Sequence, residues 1–101
     1  MTKPTSQLQS RAGGDWTLEG ELTFTTVPAL YDQARDAFAG SWPATIDLAG
    51  VDRVDSAGVA LVIDWLRLAR ESRQPLSIRN VPQHMLSIAQ LCGVGHLLEQ
   101  E

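Results

Sequence analysis

The sequence predicts an α/β domain: a mixed sheet of about four to five strands with helices packed on it, in the order β-β-α-β-α-β-α. Three observations carry this. The segment WTLEGELTF, Trp16 to Phe24, alternates apolar and polar residues with the period of a half-buried strand. The later part of the chain alternates short apolar runs with helical patterns, which favours parallel pairing through right-handed crossovers, while the N-terminal strand pair can be antiparallel. The stretch VDRVDSAGVALV, Val51 to Val62, joins an apolar strand to a long apolar helix through a turn of small and polar residues.

The composition sets bounds on this reading. A chain of 101 residues forms one domain, and folding should bury roughly two thirds of its extended surface. No metal or disulfide is then needed to complete a core. Cys92 is the only cysteine, which excludes an intrachain disulfide and a Cys-based metal cluster and suits a reducing cytosol. The N-terminal MTKPTSQLQSRAGG lacks the apolar core of a signal peptide. The longest apolar run, Gly58 to Ile63, falls far short of the ~20 residues of a membrane span. A net charge of −4 argues against nucleic acid as the main partner.

In order along the chain, Met1 to Gln7 is polar and is expected to be mobile, with the single domain running from residue 8 to 98 and Glu99 to Glu101 a solvated tail. Leu8 to Arg11 is a candidate short edge strand. Ala12-Gly13-Gly14-Asp15 is a turn, because two glycines take positive φ without steric penalty. In the following strand Trp16, Leu18, Gly20, Leu22 and Phe24 share the buried side. Gly20 in the middle of that side marks a bulge, a bend or a close backbone approach. Thr25-Thr26 before Val27-Pro28 starts a helix, with a hydroxyl cap and proline in the first turn. Its apolar face is Leu30, Ala34, Ala37 and Phe38, and Gly40 ends it near Ala39. Ala44 to Leu48 is the next strand, with Val51 to Val54 as its extended continuation. The long helix begins at Asp55-Ser56 and runs to about Ser72. Its stripe is Leu61, Trp65, Leu68 and Ser72, widened by Val59, Val62, Ile63, Leu66 and Ala69. Leu76 to Arg79 alternates as a strand. Val81-Pro82 opens the third helix, whose apolar face is Met85, Leu86, Ile88, Ala89 and Leu91, and Gly93 closes it. Val94 to Leu98 is either a last strand pairing or a docked turn.

Few residues carry chemistry. His84 and His96 are the only histidines, and neither has metal-ligand spacing with Cys92, which reads as a buried structural thiol. There is no GxxxxGK[ST] or GxGxxG loop for a phosphate. Ser56 stands in no GxSxG turn. No enzyme activity and no cofactor are therefore expected. Arg67, Arg70 and Arg73 form a basic strip late on the long helix, read either as a solvated face complementing the helix dipole or as a contact strip for an acidic partner or anionic bilayer. Trp42, in a Ser-Trp-Pro loop, either folds back on the core or anchors a partner. The turn Asp55-Ser56-Ala57-Gly58 is the main candidate. Asp55 or Ser56 can cap the helix, an effect of ~0.5–2 kcal/mol. A cap does not account for Gly58, which costs up to ~1 kcal/mol in a first helical turn relative to alanine. Small residues there permit either a partner's close approach or tight internal packing.

The run IDLAGVDRVDSAGVALVIDWLRLAR resembles the STAS domain signature, in which a strand and a D-[ST]-x-G turn lead into an apolar helix. The resemblance extends to GDWTLEGELTFTTVPALYDQ and LSIRNVPQHMLSIAQLCGV, nearly the whole chain. It implies the STAS-like mixed sheet. Two branches of the family are relevant. Anti-sigma factor antagonists are switched by phosphorylation of a hydroxyl residue directly before the turn glycine; Ala57 stands there, leaving Ser56, one place earlier, as the alternative phosphoacceptor. The other branch is the small cytoplasmic STAS subunit of Mla-type phospholipid ABC transporters, which the GELT segment, the IDL strand and the compact length resemble more closely. That resemblance implies a non-enzymatic subunit that binds and supports the transporter's ATPase, in a system that maintains outer-membrane lipid asymmetry. Through the ATPase it would meet an inner-membrane permease complex, lying peripherally on the cytoplasmic side without inserting into the membrane. The contact would include Asp55, Ser56, Ala57 and Gly58.

Overall fold

The structure, a computed structural model, describes residues 5–98. The expected N-terminal lead falls partly outside these residues, and the tail Glu99 to Glu101 falls wholly outside. The edge strand β1 spans Ser6–Ser10, so it takes in Ser6 and Gln7, which the sequence reading assigned to the lead, and stops before Arg11. A short 3-10 turn, Ala12–Gly14, leads into β2, Asp15–Leu22. Then follow α1 (Val27–Ala37), β3 (Thr45–Val54), α2 (Ser56–Glu71), β4 (Ser77–Arg79), α3 (Gln83–Leu91) and α4 (Gly95–Leu98). The sheet is four-stranded in the order β1-β2-β3-β4. β1 and β2 are antiparallel; β2–β3 and β3–β4 are parallel, as the element order requires.

The alternation in β2 places Leu18 and Leu22 in the core. Gly20 has φ +92°, and a Cβ there would strike the Thr5 carbonyl oxygen. That carbonyl accepts the Glu21 N–H at 2.9 Å, so Gly20 is a point of close backbone approach. The strand ends two residues short of Phe24. The Thr26 hydroxyl accepts the Thr23 N–H at 3.0 Å and donates to the Glu21 carbonyl at 2.7 Å, turning the chain before alternation can continue. Phe24, expected on the buried side, is 82% exposed.

β3 is one strand of 10 residues, longer than the Ala44 to Leu48 core read from sequence. Its pairing with β2 slips between Thr17 and Glu19 and again between Gly20 and Glu21. Each slip re-phases the side chains, so that Ile46, Leu48, Val51 and Val54 are all buried despite uneven spacing. α1 ends at Ala37, which is exposed; Leu30, Ala34 and Phe38 are its buried residues.

α2 buries Val59, Leu61, Val62, Trp65 and Ala69 against the sheet. Ser72, expected on the stripe, is exposed at the helix end. Of the aromatic residues, Phe38 packs edge-on to Trp16 and Trp65 with ring centroids 5.2 and 6.0 Å away, and Trp42 lies 5.5 Å from Phe38. Trp42 thus folds back on the core. α3 buries Met85 and Ala89, whereas Leu91 is 89% exposed. Leu91 follows Ala89 by two residues, about 200° around the helix, so the two cannot share a face. Cys92, expected to be buried, is exposed at the helix cap. Residues 95–98 form the docked helical turn α4, with Leu98 in the core.

Candidate functional site

At the start of α2 the sequence dictates a cap and the fold turns it into a latch. Asp55 is extended at the N-cap position. Its Oδ1 accepts the N–H groups of Ala57 at 2.9 Å and Gly58 at 3.3 Å, satisfying donors that have no partner within the helix. Its Oδ2 accepts the Phe24 N–H at 2.9 Å, and its own N–H donates to the Leu22 carbonyl at 3.1 Å. One carboxylate therefore ties the β2–α1 loop to the first turn of α2.

Gly58 completes the latch. It is buried, and a Cβ there would lie 2.7 Å from Leu22 Cβ and 3.0 Å from Leu22 C, with the Leu22 carbonyl oxygen closer still. Of the two roles the sequence left open for this glycine, the geometry selects internal packing. Gly58 is correspondingly removed from the surface on which the resemblance placed it. Ala57 is half-buried and Ser56 is exposed.

The residue that sequence reasoning missed is Phe24. The Asp55 latch fixes its backbone beside the Ser56 turn, and its ring stands in solvent. Its period-two position in WTLEGELTF pointed inward; the available signal was the hydroxyl-rich TFTT run, which favours a turn over a continued strand.

At the opposite end of α2, Arg67 donates to Asp64 at 2.6 Å and to Glu71 at 2.9 Å. These hydrogen bonds, that to Asp64 first, hold its guanidinium above its ordinary pKa. Among the described residues no cluster of three or more His, Cys, Asp and Glu could hold a metal ion. No helix among them is long and apolar enough to cross a membrane.

A mixed four-stranded sheet whose third strand enters a long helix through an Asp-capped small-residue turn defines a class, and the family comparison agrees: this chain belongs to the STAS domain family, matching the model described as "Mlab, STAS domain" over residues 9–99. Among individual relatives it is 29% identical, over 90% of both chains, to the intermembrane phospholipid transport system binding protein MlaB of Escherichia coli (strain K12). The protein of the same name from Shigella flexneri matches to the same extent.

Proposed function

We propose that this protein is a non-enzymatic accessory subunit of an Mla-type phospholipid-transport ABC system. It binds and supports the cytoplasmic ATPase, and through it a permease complex of the inner membrane, without itself inserting into the membrane. The observation that carries this reading is the similarity to MlaB proteins across 90% of both chains. The geometry supports a contact surface at the start of α2: exposed Ser56 and half-buried Ala57, with the Phe24 backbone tied to the same turn and its side chain in solvent, while Asp55 and Gly58 hold that surface in place. An exposed aromatic next to a rigid helix start has the character of an interface anchor.

Affinity purification of the full chain from native cells is expected to recover an ABC ATPase; recovery of none refutes the reading. Ser56→Glu is expected to release the ATPase while preserving the fold, because an acidic residue in the first helical turn suits the helix dipole. Phe24→Ser, a change at an exposed position, should alter stability by no more than about 0.5 kcal/mol. Loss of an anchor of ~2 kcal/mol would weaken the complex roughly thirtyfold.

A second reading rests on one observation, the exposure of Ser56. A STAS protein of the anti-sigma factor antagonist type could be phosphorylated there, adding ~1.5–2 negative charges beside the Asp55 carboxylate. Ala57 at the usual acceptor position weighs against it. Mass spectrometry of protein from native cells decides: phosphate on Ser56 favours partner switching, and its absence favours constitutive docking.

A further inference from the structure

The arginine strip has a structural context that the contact surface at Ser56 does not absorb. Between the second half of α2, the loop into β4 and α4 lies an open groove of about 690 Å³. Ile63, Leu66, Leu76 and Leu97 supply apolar lining, and Arg67, Arg70 and Arg73 line it as well. Arg67 is balanced by Asp64 and Glu71. Arg70 and Arg73 make no ion pair among the described residues, so the groove carries local positive charge in a chain of net charge −4.

Arg73 also sits where arginine is a poor choice. Two helices close in the same way. At the end of α3 the N–H groups of Gly93 and Val94 donate to the carbonyls of Gln90 and Ala89. At the end of α2 those of Arg73 and Gln74 donate to Arg70 and Ala69. The left-handed position is glycine in the first case (φ +80°) and arginine in the second (φ +58°). For a side chain without local hydrogen bonding this conformation costs about 1–2 kcal/mol. That position sets the Arg73 side chain among the residues lining the groove.

We infer that this groove docks an acidic amphipathic segment of a partner protein, its apolar stripe seated on Ile63, Leu66, Leu76 and Leu97 and its carboxylates paired with Arg70 and Arg73. This matches the general mode in which an amphipathic segment lies in an apolar groove and arginines read its acidic groups. A bilayer fits less well. The groove is concave, and the overall net charge of −4 opposes an anionic membrane. Along α2, Arg70 lies 14 residues from Ser56, roughly 21 Å at 1.5 Å per residue. The groove and the Ser56 surface can therefore be occupied together.

The test uses the full chain and a designed helical peptide with leucines at i, i+3, i+4 and i+7 flanked by glutamates. Controls are a peptide of the same composition without the stripe and one with lysine for glutamate. Saturable amide shift changes are expected at Leu66, Arg70, Arg73 and Leu97 with the first peptide only. The double variant Arg70→Glu/Arg73→Glu should weaken binding at least tenfold with an unchanged circular dichroism spectrum, and Ser56→Glu should leave binding intact. Equal binding of all three peptides, or affinity unaffected by the double variant, overturns the inference. So does co-sedimentation with phosphatidylglycerol vesicles that the double variant abolishes, since it would assign the arginines to a bilayer.

Discussion

Gly58→Ala sets two sizeable effects against each other, and the structure decides which prevails. Alanine in place of glycine should stabilise a helix by about 1 kcal/mol. Here the added methyl group would meet the Leu22 backbone, with Leu22 C at 3.0 Å and Cβ at 2.7 Å. Leu22 is fully buried, and its carbonyl receives the Asp55 N–H. Relief therefore requires the first turn of α2 to move off β2, stretching the hydrogen bonds Asp55 makes to both. Overpacking costs about 1–3 kcal/mol where flexible side chains can yield; a backbone obstacle puts this site at the upper end. The net expectation is a loss of about 1–2 kcal/mol, or a fall in Tm of roughly 5–15 °C for a domain of this size. Urea unfolding followed by tryptophan fluorescence and far-UV circular dichroism measures it. Ala60→Gly, at an exposed position in the same helix, calibrates local propensity and should cost about 1 kcal/mol. A Gly58→Ala midpoint at or above that of the unmodified protein, with unchanged slope, would refute the internal-packing role of Gly58.

Two further changes test the ends of the same helix. Asp55→Ala removes the cap and the bond to Phe24 together and should cost about 1–3 kcal/mol by urea unfolding, with faster hydrogen exchange at the Phe24 amide. Arg73→Gly should raise stability by about 0.5–1 kcal/mol, the relief of left-handed strain less the entropy of an added glycine, while weakening the designed peptide; a loss of stability would show that Arg73 is not strained.

Much of this fold is legible because local and tertiary preferences agree. The period of WTLEGEL, the Asp55 cap and the glycine closing α3 are each stated within a few residues, and each stands in the structure where the pattern puts it. At TTVP the proline does sit in the first turn, but the Thr26 hydroxyl bonds back to Thr23 and Glu21 and caps no helical N–H. The departures arise where a distant group intervenes. Phe24 continues the alternation of β2, yet its N–H is taken by a carboxylate 31 residues away, and no local pattern announces that bond. Val51 and Val54 are buried through slips of β3 against β2, which depend on the partner strand. Leu91 and Cys92 share the apolar character of α3, but Leu91 lies on the face turned away from Ala89 and Cys92 is the exposed cap at the helix end. At the candidate site the cap was legible, whereas the division between buried Gly58 and exposed Ser56 depended on where Leu22 ends.

That division makes the proposed contact surface separable from the fold. Asp55 and Gly58 hold α2 against β2, so substituting either disturbs the fold, and a loss of partner binding in such variants would not report on the proposed surface. Phe24 and Ser56 are exposed, on different elements, and are held in register by the Asp55 carboxylate. If they form one surface, their effects on ATPase binding should be coupled. Phe24→Ser removes the anchor, after which the charge of Ser56→Glu has less contact left to disrupt. A double-mutant cycle on the complex, measured by titration of the purified partners, should give a coupling of about 0.5–3 kcal/mol, as for residues sharing a contact region. The stabilities of the free variants, measured in parallel, should add within about 0.5 kcal/mol, because neither side chain supports the fold. Additive binding effects would mean that the two residues meet the partner independently or that only one meets it, and the single surface built on the Asp55 latch would have to be abandoned.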